Sequence, residues 1–306
     1  MFSFSTIGRN ILLLVLLAIV IFTGIINPRF LSLQNILNIL QQISVLGIVS
    51  IGMTILLISG GLDLSVGSLI SLSAYVGGLT IHQTNSLSLG ILALFACAVF
   101  FGFLNGVLAA TERAHPFIIT LGTMTFLQGI AVVISRGSPI NGMGGLYELI
   151  GIRDIFGLPA PAIIFIVLLI ITYFFLRNVP LGRYAYAIGG NQEASRLSGI
   201  RINRIKIALY ALNGLFVGVA ALVLSSILDS ALPTMGTGYD LRSVAAAVIG
   251  GTPLFGGRGN VFGTLGGVFL LGLVSNSINL LGISANFQGV VLGVIMVAAV
   301  MFQKSQ

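Results

Sequence analysis

Tryptophan is absent from the 306 residues, cysteine appears once, and histidine and lysine appear twice each. Every shortage removes a class of chemistry. Cys97 stands alone in an apolar stretch, so neither a disulfide framework nor a thiolate metal cluster is available. His82 and His115 fall at the ends of separate apolar stretches and, in the threading below, on opposite sides of a membrane, so they share no metal. A serine–histidine–aspartate arrangement cannot be drawn across that divide. A phosphate-binding loop needs Gly-Lys followed by Ser or Thr, yet Lys206 follows Ile205 and Lys304 follows Gln303. The glycine-rich GTPLFGGRGNVFGT at 251–264 therefore reads as a tight turn and a close helix contact rather than as a nucleotide site. The chain is expected to hold no catalytic residue, metal or cofactor of its own. If ATP and magnesium are used, another subunit must supply that chemistry.

Charge is scarce as well. Only 7% of residues are charged, 57% are hydrophobic, and 40 are glycine. The mean hydropathy is +1.11. A soluble domain of this size cannot solvate such a surface. Continuous apolar runs, not alternation, exclude a transmembrane barrel, and spanning backbone must then pair its own polar groups in helices. The fold class is all-α, a polytopic membrane protein forming a single transmembrane domain over 1–306. Ten apolar segments are legible, at about 10–26, 36–58, 64–81, 87–110, 117–134, 160–176, 207–228, 241–252, 260–280 and 286–302. The eighth is short of the roughly 20 residues a full span needs and reads as a possible half-helix. The first resembles a signal peptide but lacks a small-x-small cleavage site, so an uncleaved first span is expected.

What charge there is shows a side preference. With the N-terminus inside, inner loops carry Arg9, Arg113, the six basic residues of 177–206, Arg258 and Lys304, against Arg29, Arg136, Arg153 and Arg242 outside. The net charge of +7 is thus a topology signal and not a nucleic-acid one. Segment 177–206, RNVPLGRYAYAIGGNQEASRLSGIRINRIK, is the one long polar stretch. It is expected to be a cytoplasmic loop built to touch another protein.

Internal symmetry is hinted at. Gly61-Leu62-Asp63-Leu64 recurs as Gly238-Tyr239-Asp240-Leu241, five segments on, which would make an inverted repeat of the kind transporters use. Each Asp has two compatible readings. It caps the apolar helix that follows, or, for Asp63, it lines a polar path at membrane depth. Asn105, Gln128, Asn276 and Asn279 stand with Asp63 as path candidates. Gln41, Gln42 and Asn213 are further polar residues inside spans, and such side chains also tie helices together. The lack of tryptophan argues against a tight sugar pocket and favours a low-affinity conduit.

Four stretches carry a resemblance: ISGGLDLSVGSLISLSA (58–74), HPFIITLGTMTFLQG (115–129), AIGGNQEASRLSGI (187–200) and GYDLRSVAAAVIGGTPLFGGRGNVFGTLGG (238–267). Together they resemble the permease subunit of bacterial sugar ABC importers, the ribose-type branch above all. SPINGMG (138–144) is similar to the outer loop of that branch. The resemblance implies alternating access in the bacterial inner membrane, with both termini cytoplasmic. It also implies a second permease subunit (a homodimer or a heterodimer), ATP-binding cassette subunits, and a periplasmic or extracellular sugar-binding protein. By position it makes Gly189, Gly190, Asn191, Glu193, Ala194, Ser195, Arg196 and Gly199 the loop that couples to the ATPase. Asn191 is placed to cap a short helix that Gly199 stops; Ala194-Ser195 stands where the family usually has two alanines. The outer loop 135–159 offers Arg136, Ser138 and Arg153 as docking candidates for the binding protein. An ATP-independent facilitator is the alternative, but it should carry ionisable coupling groups deep in the spans, where only Asp63 is a candidate.

Overall fold

The structure, a computed structural model, describes residues 6–112, 114–284, 287, 289–291 and 293–294. Arg113, Lys304 and most of the tenth apolar stretch lie outside the described residues. Among the described residues twelve α-helices are delimited: α1 (Thr6–Ile26), α2 (Leu33–Ile58), α3 (Val66–Thr84), α4 (Leu87–Ala110), α5 (Pro116–Ser135), α6 (Gly145–Ile152), α7 (Ala160–Asn178), α8 (Pro180–Gly190), α9 (Gln192–Leu197), α10 (Ile202–Leu228), α11 (Tyr239–Ile249) and α12 (Val261–Leu280). Among the described residues six of these, α2, α4, α5, α7, α10 and α12, are long and apolar enough to cross a membrane. The chain is an all-α, multi-pass membrane protein.

Local chemistry sets the helix ends. Ser32, Ser86 and Asn260 cap α2, α4 and α12 with their side-chain oxygens, and Pro116 and Pro180 open α5 and α8, where a missing N–H is harmless. The eighth apolar segment is α11, whose 11 residues extend about 16 Å. The sequence reading misplaced two features. Residues 180–190 form a helix of their own, and α10 begins at Ile202 rather than near 207, so Lys206 is helical. Their apolar faces are diluted by Arg and Gly, which hid them inside the polar stretch.

The buried centre is α2, with every residue from Ile43 to Ile58 inside. It packs against α7, α10, α11 and α12. Beside it α4 and α10 approach closely through small residues. A Cβ added to Gly102 would lie 2.7 Å from the Tyr210 carbonyl oxygen, and one on Gly214 would lie 2.5 Å from that of Ala98. Asn35 and Asn276 exchange amide hydrogen bonds of 3.1 and 2.9 Å between α2 and α12, and Thr23 donates to Ser277 at 2.9 Å from α1. Large apolar side chains such as Phe22, Phe100, Phe126, Val133 and Ile171 stand exposed on α1, α4, α5 and α7. Such a surface belongs in lipid or against another subunit.

At the other end of the long helices, 136–159 is compact. β1 (Ile140–Asn141) pairs antiparallel with β4 (Ser230–Ala231), and β2 (Asp154–Ile155) with β3 (Leu158–Pro159). The β2–β3 turn is Phe156-Gly157, both with positive φ, which fits a two-residue hairpin. α6 packs on α10, with Tyr147 and Ser225 hydroxyls hydrogen-bonded at 2.5 Å.

Candidate functional site

α9 stands between α8 and α10 as a short helix closed at both ends. Asn191 is its N-cap, with Oδ1 accepting the Ala194 N–H at 2.9 Å. Glu193 lies in the first turn and Arg196 near the end, with Arg196 Nη1 3.4 Å from Glu193 Oε2. Gly199, at φ +83°, takes the left-handed position that ends the helix. Its N–H donates to Arg196 at 3.0 Å, and the Ile200 N–H donates to Ser195 at 3.1 Å, which satisfies two orphan carbonyls. Ser195 is buried, whereas Ala194 is exposed and Leu197 is 82% exposed. An isolated helix of six residues is unstable in water. These caps and the neighbouring helices therefore hold it.

The chain just ahead of α9 is pinned backbone to backbone. Gly189 lies against the end of α2 and the α11–α12 loop. A Cβ there would collide with the Ile58 carbonyl oxygen and come within 2.5 Å of the Gly257 nitrogen. Gly257 donates to Ile58 at 2.9 Å. Gly256, at φ +86°, has no room for a side chain beside Gly60. Tyr186 of α8 donates to the Gly259 carbonyl at 2.8 Å. Burial pushes that phenol up to about 12, so it stays a donor at neutral pH. Gly190, one residue from Gly189, has nothing within 4 Å of its would-be Cβ.

A carboxylate braces α9 from the side. Glu112 Oε1 accepts from Gln192 Nε2 at 2.6 Å and from Lys206 Nζ at 3.2 Å, and its Oε2 lies 3.3 Å from Arg196 Nη2. Lys206 also donates to Gln192 Oε1 at 2.9 Å. Partial burial alone would raise the Glu112 carboxyl. The hydrogen bond and charge of Lys206, the charge of Arg196 and the Gln192 bond outweigh it and hold the group below the usual carboxylate range.

Deeper in, about 10 Å along α10 from Lys206, lies a buried polar latch. Asp63 is fully buried. Its Oδ1 accepts from the Ser65 N–H at 2.9 Å, Ser65 Oγ at 2.6 Å and Asn105 Nδ2 at 3.3 Å, and its Oδ2 accepts from Asn213 Nδ2 at 3.1 Å. Tyr210 Oη donates to the Leu62 carbonyl at 3.0 Å and accepts from the Leu62 N–H at 3.2 Å. Asp63 thus ties the α2–α3 break to α4 and α10. It is not the N-cap of α3, a place Ser65 holds; it accepts the N–H of that cap residue. Asp240 is not a cap either, since it is the second residue of α11 and Gly238 precedes the helix. The two GxDL copies stand at different points relative to their helices. The helix starts nevertheless meet, with Gly236 donating to Ser71 Oγ at 2.9 Å.

The remaining path candidates are dispersed. Gln128 donates to the Pro233 carbonyl at 3.0 Å, Asn276 is paired with Asn35, and Asn279 is exposed at the end of α12. Of the five, only Asp63 and Asn105 come together. Arg136, Ser138 and Arg153 are all exposed in the loop 135–159, Arg136 at the end of α5 and Arg153 at the end of α6. Glu112, Lys206 and Tyr210 are not singled out as site residues by the sequence reading. The partners of Glu112 lie 80 to 94 positions away in the chain, so no local spacing announces them. An acid immediately after an apolar run was the only signal.

Residues 35–300 match the family described as the branched-chain amino acid transport system / permease component. The ribose import permease protein of Bacillus subtilis is 41% identical over 294 residues, covering 95% of this chain and 91% of that protein. The L-arabinose transport system permease protein of Escherichia coli K12 is 37% identical over 304 residues, 99% of this chain and 93% of its own length. The D-allose transport system permease protein of the same strain is 33% identical over 295 residues, 94% of this chain and 88% of its own. No solved structure is matched.

Proposed function

The chain belongs to this permease family, and from that premise we propose that it is the membrane-spanning permease of an ATP-driven, binding-protein-dependent importer of a monosaccharide, ribose or a sugar like it. The family description names amino acids, but the three relatives above are permeases for ribose, arabinose and allose. The relative named for ribose has the greatest identity of the three, over nearly the whole chain, and that observation carries the reading. About ten membrane segments with α11 as a half-helix, an inverted repeat, placement in the inner membrane and cytoplasmic termini go with it. So do a second permease subunit, an ATPase bearing ATP and magnesium, and a sugar-binding protein outside.

In this reading α9 is the contact with the ATPase. It is short, closed at both ends, and presents exposed Glu193, Ala194 and Leu197 beside the polar end of the bundle. Phe255, 93% exposed on the α11–α12 loop, lies next to the glycines that touch Gly189 and Gly190 and extends the same face. When the ATPase closes on ATP, α9 moves as a rigid piece. The glycine junction carries the displacement into α2 and into the loop between α11 and α12. The path between two permease copies then opens to the other side. Asp63 and Asn105 are internal fasteners of each copy on this account, and the sugar is handled weakly along the interface.

The test is a gentle pull-down of the tagged chain from its native membrane, with mass spectrometry of what accompanies it. A co-purifying subunit with a Walker motif is the expected result, and ribose added to the co-purifying binding protein should raise its melting temperature. A chain that reproducibly purifies alone, while other membrane complexes survive the same treatment, would overturn the reading in favour of an ATP-independent facilitator.

A further inference from the structure

Glu112 occupies the position just past the C-cap of α4 with φ of +56°. Glycine or asparagine is usual there, because a larger side chain crowds the backbone in the left-handed region. Here the strained position sets a carboxylate among three groups from a distant part of the chain. Gln192 is the first residue of α9 and Arg196 the fifth, so one carboxylate grips both ends of that helix. Lys206 lies one turn into α10 and keeps only 15% of its side chain exposed, while the Glu112 end of the bond meets solvent. Lys206 also closes the ring through Gln192. The far end of the connection matters too. Seven residues before Glu112 on α4 is Asn105, a donor to Asp63 in the buried latch.

We propose that Glu112 is a positioning residue for energy coupling. It fixes α9 to the α4–α5 corner, so that a push on α9 reaches α4 and the buried latch as well as α2. This rests on the reading of α9 as the ATPase contact. Without the brace α9 keeps its caps and its packing on α8 and α10, yet slides past α4 when pushed. The glycine junction and the carboxylate brace are separate connections, one made of peptide groups and one of charge. A side-chain brace of this kind is open to adjustment by substitution, whereas the junction is not.

The experiment uses the chain with its ATPase and binding protein in proteoliposomes and reads ribose taken up per ATP hydrolysed. Glu112→Gly relieves the backbone and deletes the brace together. The chain is expected to accumulate and to hold its ATPase as the unaltered one does. ATP hydrolysis should continue while ribose per ATP falls by about threefold to thirtyfold. Glu112→Gln keeps an acceptor without the charge and should lie between the two. Lys206→Met breaks the ring from the opposite side and should move the ratio in the same direction. An unchanged ratio in both Glu112→Gly and Lys206→Met would overturn the proposal. So would loss of the Glu112→Gly chain from the membrane, because the residue would then serve folding. If the unaltered chain brings down no ATPase, the importer reading has failed before any substitution is made, and the brace falls with it.

Discussion

Asp63 and Glu112 are two carboxylates with opposite circumstances. Asp63 is enclosed and answered by donors on three elements, so removing it strands the Asn213 amide and the Ser65 N–H and hydroxyl, while Asn105 keeps only its bond to Ser65 Oγ. An unsatisfied buried polar group costs about 1–3 kcal/mol. Asp63→Ala is therefore expected to lower the unfolding free energy of the purified protein by about 2–4 kcal/mol, read as an earlier thermal transition in detergent. An unshifted transition with uptake abolished would instead put Asp63 on the sugar path. Glu112 is partly exposed, and its acid strength reports its partners. Because Lys206, Arg196 and Gln192 hold its pKa down, the brace is intact at neutral pH. It contributes above the unfolded carboxylate value of about 4.3 and is lost only as the pH falls through the lower folded value. Import near pH 7 should thus be insensitive to its titration.

Elements declare themselves in the sequence in proportion to how uniform they are. The run 87–110 is apolar but for Ser88 and Asn105, with Ser86 ahead of it, and it forms α4 over the same residues. The stretch 177–206 mixes Arg, Gly and Tyr, and its three helices are made by tertiary contacts that no window of local sequence contains. Asn191 and Gly199 were legible as the two ends of α9, because capping is chemistry between near neighbours. Glu112 was not, because its partners arrive from beyond four or five helices. The same contrast separates two adjacent glycines. Gly189→Ala drives a methyl group into the Ile58 carbonyl and should destabilise the chain by about 1–3 kcal/mol. Gly190→Trp meets open space and should leave folding intact. With α9 at the ATPase, Gly190→Trp and Glu193→Trp are expected to abolish uptake while the chain still reaches the membrane in normal amounts. Normal uptake in both would move the contact elsewhere.

The whole molecule has two unlike ends. One carries the capped α9, its carboxylate brace and the exposed Phe255. The other carries α6, two small ribbons and the exposed arginines, with Phe156 standing 99% exposed at a hairpin tip. If that end receives the binding protein, Arg136→Glu with Arg153→Glu should weaken binding-protein-dependent uptake several-fold at low salt and less at high salt, where surface charge is screened. Uptake equal to that of the unaltered chain at low salt would remove both arginines from the docking surface. Beside α9, at its own end of the molecule, lies the crossing of Ile58, Gly60, Gly189, Gly256 and Gly257, where peptide groups touch with no side chain between them. Side chains absorb a displacement of a fraction of an ångström by changing rotamer, as a rubber bushing absorbs a jolt. Bare peptide groups have no rotamers to change. A linkage meshed in this way has no backlash: the stroke delivered at one end begins, without slack, as motion at the next.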